Sequence, residues 1–137
     1  MKKRLLWLDD MRDPKNPQMD WLKFSPIGRD VDVSWVKSYK EFVSWIIKNG
    51  LPDAICFDHD LGKEVEKELL TKGYSKKDAR SLKSEEKTGY DAAKWLVGYC
   101  MDNDKDLPEF AIQSSNPVGK ENISKLFDSF RRFKNKK

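Results

Sequence analysis

Long apolar runs are missing from this chain. No hydrophobic stretch approaches the roughly 20 residues that a membrane-crossing helix needs. The opening MKKRLLWLDD also turns acidic too early for a secretory signal, so a cytoplasmic protein is expected. Cysteine is scarce: Cys56 and Cys100 are too few for a disulfide framework, and Cys56, inside an apolar run, reads as a reduced core residue. Histidine occurs once, as His59, so no second imidazole is available to activate Ser114 or Ser115 as a nucleophile. Charge of one sign is not dominant either. The net charge of +4 is a mild bias towards anionic partners and falls short of a nucleic-acid footprint. Internal repeats and low-complexity segments are absent. What is present is enough apolar and aromatic material, 38% and 12% of 137 residues, to fill one core, so residues 1–137 read as a single domain.

Four short segments have the composition of buried strands. RLLWL (4–8) and AICF (54–57) are apolar throughout, the pattern of strands covered on both faces, and each is followed by acids. Residues 31–36 are rich in β-branched residues and 110–112 form a short fourth run. Between the first two strands, Pro14, Pro17, Pro26 and Gly28 argue against a long helix, so 11–30 reads as an irregular connection pinned by Trp21, Leu22 and Phe24. Ser38 and Glu41 form a predicted capping box for a helix that Gly50 stops, and Thr88 with Asp91 caps another. A last helix is expected from about Lys120, with Ile123, Leu126, Phe127 and Phe130 on its buried stripe and a solvated basic tail at 131–137. Residues 63–87 differ from the rest: 14 of the 25 are charged, and Gly73 divides two helical stretches, the second capped by Ser75. They read as a helical-hairpin insertion, either a lid or a solvated excrescence.

Strands separated by helices or long crossovers imply a parallel α/β sheet, whose ligands bind beyond the carboxyl ends of the strands where the strand order reverses. Three strands end there in polar clusters: Asp9-Asp10, Asp58-His59-Asp60, and Gln113-Ser114-Ser115-Asn116. With the order 2-1-3-4, the first and third strands are neighbours and their carboxylates converge. Carboxylates that close repel one another unless a cation neutralises them, and an all-oxygen set with room for water suits Mg²⁺ or Mn²⁺. The hydroxyls after the fourth strand and the backbone N–H groups near Gly119 and Lys120 form an anion seat at the same edge. A metal beside a phosphate seat implies phosphate chemistry. His59 is a candidate general acid or base, or a hydrogen-bonded turn residue. Arg12 either clamps phosphate or neutralises Asp9, Asp10 or Asp13. Trp21 either stacks on a base or, the favoured reading, packs.

Four motifs in order then carry a resemblance. Asp9-Asp10-Met11-Arg12-Asp13-Pro14, Asp58-His59-Asp60-Leu61-Gly62, Thr88-Gly89-Tyr90-Asp91 and Gln113-Ser114-Ser115-Asn116-Pro117-Val118-Gly119 resemble the cyclic-phosphate-processing receiver-like family, over Leu5 to about Phe130 apart from the insertion. The resemblance implies a single receiver-like, flavodoxin-like three-layer domain with a central parallel sheet of about four strands. It implies a metal-dependent phosphoesterase acting on a cyclic phosphate of a nucleotide or sugar. On that reading Asp9, Asp10 and Asp58 hold Mg²⁺ or Mn²⁺, Asp60 is a further ligand or base, and His59 moves the proton. Ser114, Asn116, Gly119, Lys120 and Arg12 take the phosphate. The substrate is then a small-molecule nucleotide or sugar cyclic phosphate, with nucleic acid entering only through a terminal cyclic phosphate. One departure stands out: Gln113 occupies the position where the family pattern has histidine. Two other classes stay open. One is a binding protein that sequesters the cyclic phosphate without turnover; the other is a signalling receiver with Asp58 as phosphoacceptor, although no fifth strand is read for the lysine that ordinary receivers place after it, and Lys120 at the helix start is the candidate substitute. A haloacid-dehalogenase-type phosphatase built on Asp58 and Asp60 fails on motif order, because its second acidic pair should follow that strand and Asp9-Asp10 precedes it.

Overall fold

The four apolar segments pair into one sheet in the computed structural model, which describes residues 2–10, 12–58, 69–78, 88–112 and 117–135. Strands β1 (Lys3–Leu8), β2 (Val31–Val36), β3 (Ala54–Phe57) and β4 (Glu109–Ile112) are all parallel and run in the order β2-β1-β3-β4. The register sets Leu8 beside Val36 on one side and Phe57 on the other. The two central strands carry the sequence signature of full burial for a physical reason: Leu5, Leu6, Trp7 and Leu8, and all of Ala54 to Phe57, have no exposed surface.

Side chains alternate between two cores. Leu6, Leu8, Val36, Ile55 and Phe57 face one side, where helices α1 (Tyr39–Asn49), α2 (Gly89–Asp102) and α3 (Pro117–Asn135) supply Phe42 and Ile46, Ala92, Ala93, Leu96 and Cys100, and Ile123, Phe127 and Phe130. Leu5, Trp7, Val33, Ala54 and Cys56 face the other, against Trp21, Leu22 and Ile27. The irregular connection between β1 and β2, with one 3-10 turn at Trp21–Phe24, therefore serves as the third layer where a helix would be usual. Trp21 packs, as favoured from sequence. No helix among the described residues is long and apolar enough to cross a membrane.

The helix-start signals hold in full at Thr88 and in half at Ser38. Thr88 and Asp91 make a full capping box, each side chain satisfying the other residue's backbone N–H. At Ser38 only the forward half forms: Ser38 Oγ accepts from the Glu41 N–H at 3.2 Å, while the Glu41 carboxylate turns to the Ser38 hydroxyl at 3.4 Å. Gly50 ends α1 with φ of 81°, a left-handed conformation that a Cβ disfavours. Within the charged insertion, Gly73 has φ of 97° and Ser75 Oγ accepts from the Asp78 N–H, so the described part, 69–78, matches the expected break and cap. The rest of the insertion lies outside the described residues.

Two expectations are corrected. The last helix begins at Pro117, not near Lys120; proline suits the first helical position because its missing N–H has no intrahelical partner there. Its far end is not a loose tail either. The helix continues through Asn135, and Lys134 pairs with Asp104 at 3.3 Å and Asp106 at 3.6 Å and donates to the Lys105 carbonyl at 3.0 Å. That clamp ties the basic end to the turn before β4.

Candidate functional site

The carboxyl ends of β1 and β3 lie side by side, and each delivers acids directly after its last ladder residue. The Asp9 N–H donates to the Val36 carbonyl at 3.0 Å and the Asp58 N–H to the Leu8 carbonyl at 2.9 Å, so both residues are fixed as continuations of the sheet. Asp9, Asp10 and Asp58 converge: one carboxylate oxygen from each lies within 4.8 Å of the others. All three residues are buried, 1%, 3% and 2% exposed, where charged side chains are seldom found without a partner. Asp10 makes other interactions, and its buried Oδ1 atom accepts no hydrogen bond from the described residues.

The loop that follows β1 is held from three directions by tryptophans. The Trp35 indole N–H donates to the Asp9 carbonyl at 2.7 Å, and the Trp7 indole N–H donates to the Arg12 carbonyl at 3.0 Å. The Arg12 guanidinium lies 5.3 Å from the centre of the Trp21 ring. From that perch Arg12 reaches Asp9 twice: its backbone N–H donates to Oδ1 at 3.0 Å and its guanidinium to Oδ2 at 3.3 Å. Of the two sequence readings of Arg12, the structure displays the neutralising one. Asp9 keeps acceptor capacity, since a carboxylate has about four lone-pair sites.

A set of three carboxylates with one neighbouring guanidinium carries excess negative charge, and its donors are all oxygen. Such a set fits a hard divalent cation better than it fits an empty pocket. Gly119 and Lys120 lie in the first turn of α3, which follows β4 at the same rim of the sheet; Gly119 is buried and Lys120 exposed. His59, Asp60, Gln113, Ser114 and Asn116 lie outside the described residues. Cys56 is no nucleophile at neutral pH, because burial pushes its thiol up to about 12.

Sequence reasoning missed the two indole anchors. A signal was available: strand alternation puts Trp7, Trp35 and Asp9 on the same side of adjacent strands, and a buried indole N–H needs an acceptor.

A four-stranded parallel sheet in the order 2-1-3-4, with an acidic cluster at the reversal of strand order, defines a receiver-like α/β domain. Comparison with protein families makes the assignment specific: the model of the cyclic-phosphate processing receiver domain matches residues 4–129, and the chain belongs to that family. The family's description implies a phosphate-bearing substrate. No curated protein matches the chain.

Proposed function

We propose that the domain is a metal-dependent phosphoesterase that opens a cyclic phosphate of a nucleotide or sugar-nucleotide. The observation that carries the reading is the convergence of three buried carboxylates, within 4.8 Å, at the switch point of a cyclic-phosphate processing receiver domain. Asp9, Asp10 and Asp58 are the residues to hold Mg²⁺ or Mn²⁺, with Asp60 as a further ligand or base. When bound, such a cation polarises phosphoryl oxygens and makes a coordinated water more acidic. Arg12, pinned between Trp21 and Asp9, holds Asp9 in orientation and offsets negative charge as it builds. Gly119 and Lys120 offer the first-turn N–H groups of α3 and an ammonium to the phosphate, joined by Ser114 and Asn116. His59, next in the chain after Asp58, moves the proton to or from the ester oxygen through an imidazole nitrogen.

Gln113, standing where the family pattern has histidine, supports a second reading: binding without turnover. Phosphorus NMR separates the two. A panel of 2′,3′-cyclic nucleotides, ADP-ribose 1″,2″-cyclic phosphate and 3′,5′-cyclic nucleotides is incubated with the protein and Mg²⁺ or Mn²⁺. A ring-opened product that disappears with chelator and in Asp58→Asn is the expected result. Broadened or shifted resonances without conversion would favour the binder, with Gln113→His as the next variant. Silence across the panel would sink both and return the signalling module, testable with an acyl-phosphate donor.

A further inference from the structure

The sheet also delivers a lysine to the acidic rim. Extending the register by one residue past Leu8–Val36 and Leu8–Phe57 sets Lys37 beside Asp9, with Asp58 on the far side of Asp9. The three residues continue strands whose alternation places Val33 and Trp35, Leu5 and Trp7, and Ala54 and Cys56 on one face, so Lys37, Asp9 and Asp58 form a row across three neighbouring strand ends. The Lys37 ammonium does not reach out into solvent at random. It sits 4.3 Å from the centre of the Trp35 ring, and that same indole donates its N–H to the Asp9 carbonyl. One side chain thus seats the ammonium on its face and grips the acidic loop with its edge. Lys37 is exposed and makes no ion pair among the described residues.

Charge accounting gives this cation a purpose. The three carboxylates, the Arg12 guanidinium and a divalent cation would meet at the strand ends, and Lys37 adds positive charge on the β2 side of them. A cyclic phosphate diester carries one negative charge, and its ring-opened phosphomonoester carries nearly two at neutral pH. We infer that Lys37, seated on Trp35, is an anion-contacting residue of this site that favours the phosphomonoester dianion over the cyclic monoanion. The inference rests on the function proposed above and adds the β2 side of the site to it.

The test is a binding measurement on the full chain with Mn²⁺ present, using inorganic phosphate and adenosine 3′-monophosphate as probes. For Lys37→Gln, affinity for both should fall about fivefold to tenfold, the scale of one partly exposed charge-assisted contact. Lys37→Arg, which keeps the charge and can stack on Trp35, should restore affinity to within about threefold of wild type. Divalent binding should move the other way: removing a neighbouring cation should raise Mn²⁺ affinity, by about twofold. A merely structural lysine would not produce these opposite signs. In the two-dimensional spectrum of the ¹⁵N-labelled protein, the Trp35 indole N–H resonance, assigned with Trp35→Phe, should shift on phosphate binding in wild type and less so in Lys37→Gln. If wild type binds phosphate and Lys37→Gln binds it equally well, the inference is overturned while the proposed function stands. If wild type with Mn²⁺ binds neither probe, the proposed function falls, and the role of Lys37 with it.

Discussion

Asp58→Asn should make the metal-free protein more stable, the reverse of what losing a buried residue usually does. The substitution keeps the side chain's shape and removes one of three buried charges. Two like charges 4.8 Å apart cost about 3.5 kcal/mol at an effective dielectric near 20, and Asp58 faces two such neighbours. Relaxation, water at the rim and the Arg12 guanidinium beside Asp9 reduce that, leaving about 2 kcal/mol of expected relief. In a domain of this size that corresponds to a rise in Tm of about 6 °C. A divalent cation at 100 times its Kd should stabilise wild type by about 2.7 kcal/mol and the variant far less. Thermal melts of both proteins should therefore cross: the variant melts higher in EDTA, the wild type gains more from Mg²⁺. A variant that melts lower than wild type in EDTA, or that gains equally from Mg²⁺, would refute the reasoning.

Other outcomes follow from the packing and the caps. Thr88→Ala removes the capping box of α2 and should lower stability by about 1 kcal/mol in urea titrations, with little change in the denaturant slope. Phe127→Ala should cost about 3–5 kcal/mol, because its fully buried ring lies 4.6 Å from Phe110 and 5.4 Å from Phe57, whereas Phe127→Leu should cost far less. Burial pushes Cys56 up to about 12 and Cys100 up to about 11 from 9.0, so the fold favours the protonated thiols. That contribution is fully present below pH 9 and is lost as pH climbs from 9 towards 11–12. Native protein at pH 8 should leave both thiols unreactive to a disulfide reagent, and Cys56→Ala should flatten the alkaline fall in Tm.

The two central strands were legible because burial on both faces demands uninterrupted apolar residues, as in RLLWL and AICF, and their trailing acids marked the site. The cap at Thr88 was legible because its two side chains lie three residues apart in sequence. The start of α3 was misread because Pro117 looks like a breaker unless its place at the first helical position is considered. The helical end at 131–135 resembles a loose tail in sequence because the partners of Lys134, Asp104 and Asp106, are 30 and 28 residues away in the chain and only the fold brings them near. The same limit hid the tryptophan anchors. Trp7 is core and Trp35 is partly buried against it; their second role depends on which carbonyl lies above each indole edge.

The central structural claim is that Asp9, Asp10 and Asp58 form one divalent-cation site, and the most direct test counts the ions. Mn²⁺ is titrated into wild type and Asp58→Asn, and free Mn²⁺ is followed by electron paramagnetic resonance. Wild type should bind one saturable ion per chain, displaced by Mg²⁺, with affinity reduced at least tenfold in the variant, about the loss expected when one of three charged ligands is made neutral. A wild-type protein that leaves all the Mn²⁺ free, or a variant that binds it equally well, would mean that the three carboxylates form no cation site.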